Sequence, residues 1–486
     1  MEDDLTGGPV PFGVCDDGSV LAGVDAESII ASPVWPLDRN VMMEKASGAA
    51  SHFGVDENET DPNDLHEAGW AVLFAPGIAD SVKAALQPLI AHRRSQVDEE
   101  RLFKIFDGDF IPGESASAWL TRHKASMRTV VPLQGVPYYL LIVASPSDIP
   151  FEFQYELDIF WAVGRIWFDT ADEFRQYAAS VVQNETAPAV PTSRQLALFA
   201  TQNENDRATR LLMQQVVLPL LQGTEIQKPV GQGKRQKFKV QPFLGDRAGK
   251  SALNDVLNGK IADGPPALVF TGSHGKAVSD PAAATLPDVM GALVCQEWVR
   301  GGGPITPEQY FAAADLSPDA KVHGIIHFMF ACYGAGWPQT DTFSRTATQV
   351  KQIAPAPMVA RLPQKLLAHP GGGALAVLGH IDRAWAWSFQ SEDGTAQAGD
   401  FRMILNAIMS GDRIGQATDR FNTNWAALST GIAETLEQMQ VAGRVLPPDG
   451  LNRLKNRWVA RDDARNYMVF GDPAVRLRTE DMAVLT

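Results

Sequence analysis

Gly324-Ile325-Ile326-His327-Phe328-Met329-Phe330-Ala331-Cys332-Tyr333-Gly334-Ala335-Gly336 is an apolar run that breaks, at a cysteine, into a glycine-rich turn. A short apolar run bounded by glycines reads as a buried strand. A strand buried on both faces belongs to a parallel sheet covered by helices. Open sheets of that kind place their chemistry just beyond the strands' carboxyl ends, which is where Cys332 stands. Toward the N-terminus, Ala267-Leu268-Val269-Phe270 is a second run of the same design, ending in Thr271-Gly272-Ser273-His274-Gly275. Two strand tips, one with His-Gly and one with Ala-Cys, supply a candidate base and nucleophile that meet only in the folded chain.

Runs and helical patterns alternate on both sides of this pair. Strands are expected at Leu196 to Thr201, Lys237 to Pro242 and Ala374 to His380, and helices at Ala208 to Leu221, Ser251 to Asn258, Met358 to Ala368 and between Phe401 and Met439. The expected architecture is a doubly wound, mostly parallel α/β sheet, with the carboxyl ends of its strands along one edge. An earlier block shows strand runs at Trp70 to Phe74, Tyr138 to Ala144 and Phe160 to Phe168. It also shows helical patterns at Ser81 to His92 and Thr170 to Val182, the latter opening on the acidic, capping-prone Asp169-Thr170-Ala171-Asp172-Glu173. The proline-bearing stretch 184–193 reads as a linker. Three units follow: an acidic irregular leader at 1–65, a smaller α/β subdomain at 66–183 and a catalytic α/β domain at 194–486. Lys276 to Lys321 and Trp337 to Pro357 interrupt the alternation and are expected as surface excursions beside the catalytic edge.

Composition narrows the function class. The 486 residues are 45% hydrophobic and 20% charged, the balance of a globular protein. No apolar run approaches the roughly 18 residues that span a bilayer, so no membrane partner is expected. The net charge of −15 is concentrated in residues 1–65, which hold fourteen acids against Arg39 and Lys45. The rest is nearly neutral, with no basic face for nucleic acid. The leader's acidity reads as solvation. Cys15, Cys295 and Cys332 are too few and too scattered for a disulfide framework or a zinc site; with no signal-like start, they point to a reducing, cytoplasmic setting. Nothing in the pattern calls for a cofactor or a metal.

Weighed singly, Cys332 also fits a core cysteine and His274 a loop histidine. Jointly, two glycine-followed strand tips in one sheet favour chemistry. Cys295, with no glycine turn, reads as core. His323 and His327 would lie about 13 Å apart along one strand, too far to share a metal. Past the strand at Ala374, His380-Ile381-Asp382 is followed by Arg383-Ala384-Trp385-Ala386-Trp387; its two tryptophans share a face in extended geometry and either line a groove or pack in the core.

Val269 to Gly275 and Phe330 to Gly334 resemble the His-Gly and Ala-Cys motifs of caspase-like cysteine peptidases (clan CD), particularly the gingipain-type and CHAT-type members. Ala162 to Ile166, Gly411 to Ala417 and Tyr467 to Leu477 are similar to further motifs of that group, in its order. The resemblance implies a caspase-haemoglobinase fold and a Cys332–His274 dyad. It also implies an oxyanion hole from the backbone of Gly275 and Cys332, and a peptide or protein substrate added as a strand beside Trp385 to Phe389. By the same resemblance Asp382 is the candidate acid of the specificity pocket, favouring Arg or Lys before the cut, with Trp385 and Trp387 lining the groove. Phe330, two residues before the cysteine, departs from the polar residue other members carry there. An intracellular enzyme of this type implies restraint, through cleavage or an activating protein partner acting near Trp337 to Pro357. The alternatives are a noncatalytic scaffold that binds a peptide or partner, and a glutaminase-like amidohydrolase; the order His then Cys disfavours the second.

Overall fold

A computed structural model of the chain describes residues 10–24, 54–345, 350–391, 394–442 and 448–485. At its centre is a ten-stranded sheet. Its strands in chain order are β1 (Trp70–Phe74), β2 (Phe103–Asp107), β3 (Tyr139–Val143), β4 (Ala162–Ile166), β5 (Ser193–Ala200), β6 (Lys239–Leu244), β7 (Pro266–Gly272), β8 (Ile326–Phe330), β9 (Ala376–His380) and β10 (Tyr467–Gly471). Across the sheet the order is β2-β1-β3-β4-β10-β9-β8-β7-β5-β6. Every position of β1, β3, β4 and β7 to β10 is buried, as covering both faces of a parallel sheet demands. The outer strands β2 and β6 keep exposed positions. Pro242 sits in β6, an edge strand that can tolerate its missing N–H.

All neighbours in this sheet pair in parallel except β9 and β10. β1 to β4 and β10 therefore run opposite to β5 through β9. The carboxyl ends of β5, β7, β8 and β9 share one edge, and those of β1, β3, β4 and β10 point to the other. The stretch 184–193 lies between blocks whose strands hydrogen-bond into one sheet, joined where Phe470 of β10 registers with Arg165 of β4.

Three of the motif stretches meet at that seam, where β10 lies two strands from β8. A Cβ on Gly164 would lie 2.2 Å from the carbonyl oxygen of Gly471, so only glycine allows β4 and β10 to approach this closely. Ile414 and Gly415 donate their N–H groups to the carbonyls of Val475 (2.9 Å) and Pro473 (2.9 Å). The helices α1 (Asp80–Val97) and α2 (Ala171–Thr186) pack together on the first block. The expected cap at Thr170 is present as a reciprocal box with Glu173. Buried Arg93 of α1 bonds Glu185 of α2 (2.6 and 2.7 Å) and Asp472 just beyond β10 (2.7 Å), tying the blocks by charge.

After β5 comes α3 (Arg207–Leu212), which runs through a π-helical turn at Met213–Val217 into Leu218–Gln222, where a single helix was expected. The region expected between Phe401 and Met439 divides into Gly399–Met409, Ile414–Ala417 and α4 (Asp419–Ala442), and α5 (Pro448–Arg465) packs against α4. The excursion at Lys276 to Lys321 is ordered by a small four-stranded sheet of Gly13–Val14, Gly275–Lys276, Leu293–Val294 and Tyr310–Phe311. Part of the leader is thus built into the edge that carries His274 and Cys332. Its residues 1–9 and 25–53 lie outside the described residues.

Candidate active site

β7 and β8 are neighbours, with Gly272 opposite Phe330 and Ser273 N–H bonded to the Phe330 carbonyl (3.1 Å). Their tips therefore bring His274-Gly275 against Cys332-Tyr333. The approach is so close that a Cβ on Gly275 would stand 1.8 Å from the Cys332 carbonyl oxygen. Tyr333 takes φ +58°, left-handed for a bulky residue, and its N–H donates to the Asp382 carbonyl (2.9 Å). Backbone strain of this kind is held only where the surroundings over-determine it. Here the ends of β8 and β9 do so.

His274 is fully buried. Its Nε2 lies 2.9 Å from Oδ2 of Asp206, which also accepts from Thr209 N–H (2.9 Å) and Thr209 Oγ1 (2.8 Å). An acceptor-only carboxylate on Nε2 fixes the proton there and leaves Nδ1 as the free lone pair of the neutral ring. Nδ1 has no hydrogen-bond partner among the described residues. Burial alone would raise the Asp206 carboxyl, but the imidazole and the Thr209 donors outweigh it and hold it well below the usual carboxylate range. Asp206 was not singled out from the sequence. Its signal was position: it caps α3 in the loop at the carboxyl end of β5, the strand beside β7.

The amides of Gly275 and Cys332 converge on one oxygen. Gly275 N–H (2.9 Å) and Cys332 N–H (3.0 Å) both donate to the carbonyl of Phe12 in the leader. Phe12 N–H donates to Ala384 O (2.8 Å), Ala386 N–H donates to Val10 O (3.1 Å), and Pro11 faces Trp385 in an antiparallel bridge. Cys332 Sγ lies 3.2 Å from the Ala384 amide nitrogen. Burial pushes the thiol well above its ordinary value. Beyond Phe12 the chain pairs with Gly275–Lys276 and turns back at residues 15–19; Asp16 pairs with Lys276, and Ala22 O accepts from Arg383 (2.9 Å).

The other candidates are placed as follows. Asp382 is fully buried; its carboxylate accepts from Thr342 Oγ1 (2.5 Å) and Arg383 N–H (2.8 Å), and burial beside Asp341 raises it to about 7. Trp385 presents its backbone to Pro11 while its indole packs with Phe343, Ile432 and Trp458. Trp387 lines a cavity of about 620 Å³ against Phe421, Tyr467 and α5, which neither Cys332 nor His274 lines. His327 is a core histidine: burial pushes it down to about 3, and Thr271 Oγ1 lies 3.1 Å from its Nε2. His380 bonds Asp463 (3.1 Å), which also accepts from Trp385 N–H (3.0 Å) and so braces the 384–386 segment. The hairpin of Thr340–Arg345 and Val350–Gln352 comes from the expected Trp337 to Pro357 excursion, and it borders the leader in a small cavity lined by Cys15, Leu21, Lys351 and Gln352. Among the described residues, no helix is long and apolar enough to cross a membrane.

A family model described as Peptidase family C25 matches residues 78–478. No curated protein matches the chain. Among solved structures it is similar to the Arg specific cysteine proteinase gingipain R, at 13% identity over 88% of this chain and 81% of that one, with a TM-score of 0.46. It is also similar to the complex of the pro- and mature domains of Porphyromonas gingivalis RgpB, at 11% identity over 85% and 80%, TM-score 0.42. A Saccharomyces cerevisiae separase–securin complex is similar at 10% identity over 69% of this chain and 15% of that one, TM-score 0.32. The family match runs from just before α1 to beyond β10 and encloses His274, Gly275 and Cys332, so the chain belongs to peptidase family C25 and is a cysteine peptidase.

Proposed function

We propose that the chain is an endopeptidase in which Cys332 is the nucleophile and His274 the proton carrier. The observation that carries this reading is the pair of N–H groups, from Gly275 and from Cys332 itself, meeting on a single peptide carbonyl beside the thiol. Cys332 gives its proton to His274 Nδ1, and the thiolate attacks the carbonyl carbon. The oxygen takes the negative charge between the two amides, each contributing about 100- to 1,000-fold in rate. The C–N bond breaks as the imidazolium passes its proton to the leaving amine. Water then hydrolyses the thioester, releasing the acid product and the free thiol. Asp206 is a positioning residue that holds Nε2–H, as an orienting acid does in other nucleophile–histidine pairs.

The substrate is an extended peptide or protein segment added as a strand along Ala384-Trp385-Ala386, the mode by which open backbone commonly reads peptides. With Val10 to Val14 in that position the site is covered, so activity requires displacement of the segment, by cleavage or by a protein partner. A cytoplasmic setting belongs to the same reading, carried by three cysteines that form no disulfide. The test is hydrolysis of a fluorogenic peptide library by wild type, Cys332→Ala and His274→Ala. Both variants are expected to lose at least about a thousandfold. Undiminished cleavage by Cys332→Ala would refute the assignment.

A further inference from the structure

The ring of Phe12 is fully buried within the cleft. Its centroid lies 4.8 Å from Phe330 and 6.0 Å from Phe389, both edge-on, and 5.7 Å from the His274 ring. Phe330 and Phe389 are themselves 5.8 Å apart, and Phe330 is backed by His380 at 5.5 Å. Edge-to-face geometry at these separations is the favoured arrangement of aromatic pairs. The main chain of the same residue is held as a reacting residue would be. Its carbonyl sits between the two amides and its N–H is on Ala384 O. Cys332 Sγ lies 3.2 Å from where a Cβ on Gly13 would stand, which puts the thiol beside the Phe12–Gly13 peptide. Pro11 loses nothing here. It faces Trp385 where the ladder's bonds come from Val10 and Phe12, so its missing N–H leaves no gap.

Building on the peptidase reading, we propose that Phe330 and Phe389, with the His274 ring, form an aromatic subsite for the residue before the scissile bond. The chain's own Phe12 fills that subsite as a substrate mimic, and the enzyme's substrates carry phenylalanine or a similar aromatic residue there. The subsite gives a role to Phe330, which stands two positions before the cysteine where the resemblance implies a polar residue. It also fits the burial of Asp382, whose carboxylate is taken up by Thr342 and Arg383 N–H rather than offered to a basic side chain. Burying a phenylalanine side chain contributes roughly 10- to 100-fold in binding over a residue that leaves the subsite empty. A guanidinium or carboxylate among these rings pays desolvation in addition.

The experiment uses the full chain carrying Phe12→Asp, which expels the segment, with Phe12→Ala as a second variant should the first fail to fold. Coumarin peptides ending in Val-Pro-Phe, Val-Pro-Arg and Val-Pro-Asp are compared by kcat/KM. The expected result is at least tenfold preference for the Phe peptide, and more than a tenfold fall for that peptide alone when Phe330→Ala is added. Equal or faster cleavage of the Arg or Asp peptide overturns the subsite while leaving the peptidase standing. If no peptide is cut, calorimetric binding of Val-Pro-Phe-Gly-Val amide and its Arg counterpart to the same variant decides. Tenfold tighter binding of the Phe peptide keeps the subsite and counts against the peptidase, and no preference overturns the subsite.

Discussion

Asp206→Asn isolates the role of the acid behind His274. In the folded chain one oxygen, Oδ2, serves His274 Nε2 and both donors of Thr209, and the side chains of His274 and Asp206 are 0% and 1% exposed. Asparagine keeps the cap of α3 by turning its carbonyl oxygen to Thr209. The same position faces Nε2, so that oxygen still accepts the ring proton, and what is lost is the negative charge. The imidazolium that forms as Cys332 gives up its proton then lacks its facing carboxylate. A hydrogen bond to a charged group is worth about 1.5 to 3 kcal/mol, so kcat/KM should fall by roughly 10- to 150-fold. KM should move little, because Asp206 is not among the groups bonded to Val10 or Phe12 in the cleft. Losing a charge-assisted hydrogen bond should cost about 1.5 to 3 kcal/mol in urea unfolding. The native carboxyl is held below its unfolded value of about 3.9, so that stability gap is present above about pH 4 and closes as pH falls further. The assay is peptide hydrolysis in the Phe12→Asp background. Activity within threefold of the parent would refute the positioning role.

Other expectations follow from separate parts of the molecule. Gly275→Ala places a methyl 1.8 Å from the Cys332 carbonyl; the amide must move off the oxyanion, and turnover should fall at least about 100-fold, while iodoacetamide still alkylates the thiol in the Phe12→Asp background. Asp382 has its folded value raised to about 7, so its contribution to stability is full below about pH 4 and lost as pH rises through 7. Asp382→Asn should therefore flatten the loss of melting temperature between pH 5 and 8 that wild type shows, and an unchanged slope would contradict the buried, protonated carboxyl. Arg93→Met leaves Glu185 and Asp472 buried without their cation. Urea titration should show a loss of about 3 to 5 kcal/mol, with kcat/KM per folded molecule unchanged because the pair lies at the opposite sheet edge.

The tips of β7 and β8 were legible because a strand buried on both faces is apolar along its whole length and its end is marked by glycine. Strand direction was not. The run at Tyr467 to Gly471 looks the same whether it pairs in parallel or not, and its antiparallel place beside β9 is what reverses one half of the sheet. β2 escaped notice because, in the edge strand Phe103–Asp107, Lys104 and Asp107 interrupt the apolar residues and leave neither a continuous run nor a clean alternation. Asp206 is read only through tertiary contact, 68 residues from the histidine it serves. The leader was judged by its average. Fourteen acids over 65 residues suggested a solvated segment, and that average hid Val10-Pro11-Phe12-Gly13-Val14 followed by the turn residues Asp16-Asp17-Gly18. A short strand finds its partner across the fold, and no local periodicity names that partner.

The most direct test of the account is to treat the full chain and its Phe12→Asp variant with Val-Pro-Phe chloromethyl ketone and map the adduct by peptide mass. The account predicts a single adduct on Cys332, formed slowly in wild type, where the leader covers the thiol, and much faster in the variant, with Cys15 and Cys295 untouched. Modification of Cys15 or Cys295 instead, or no adduct on Cys332 in either protein, would contradict the assignment of Cys332 as the nucleophile of this peptidase.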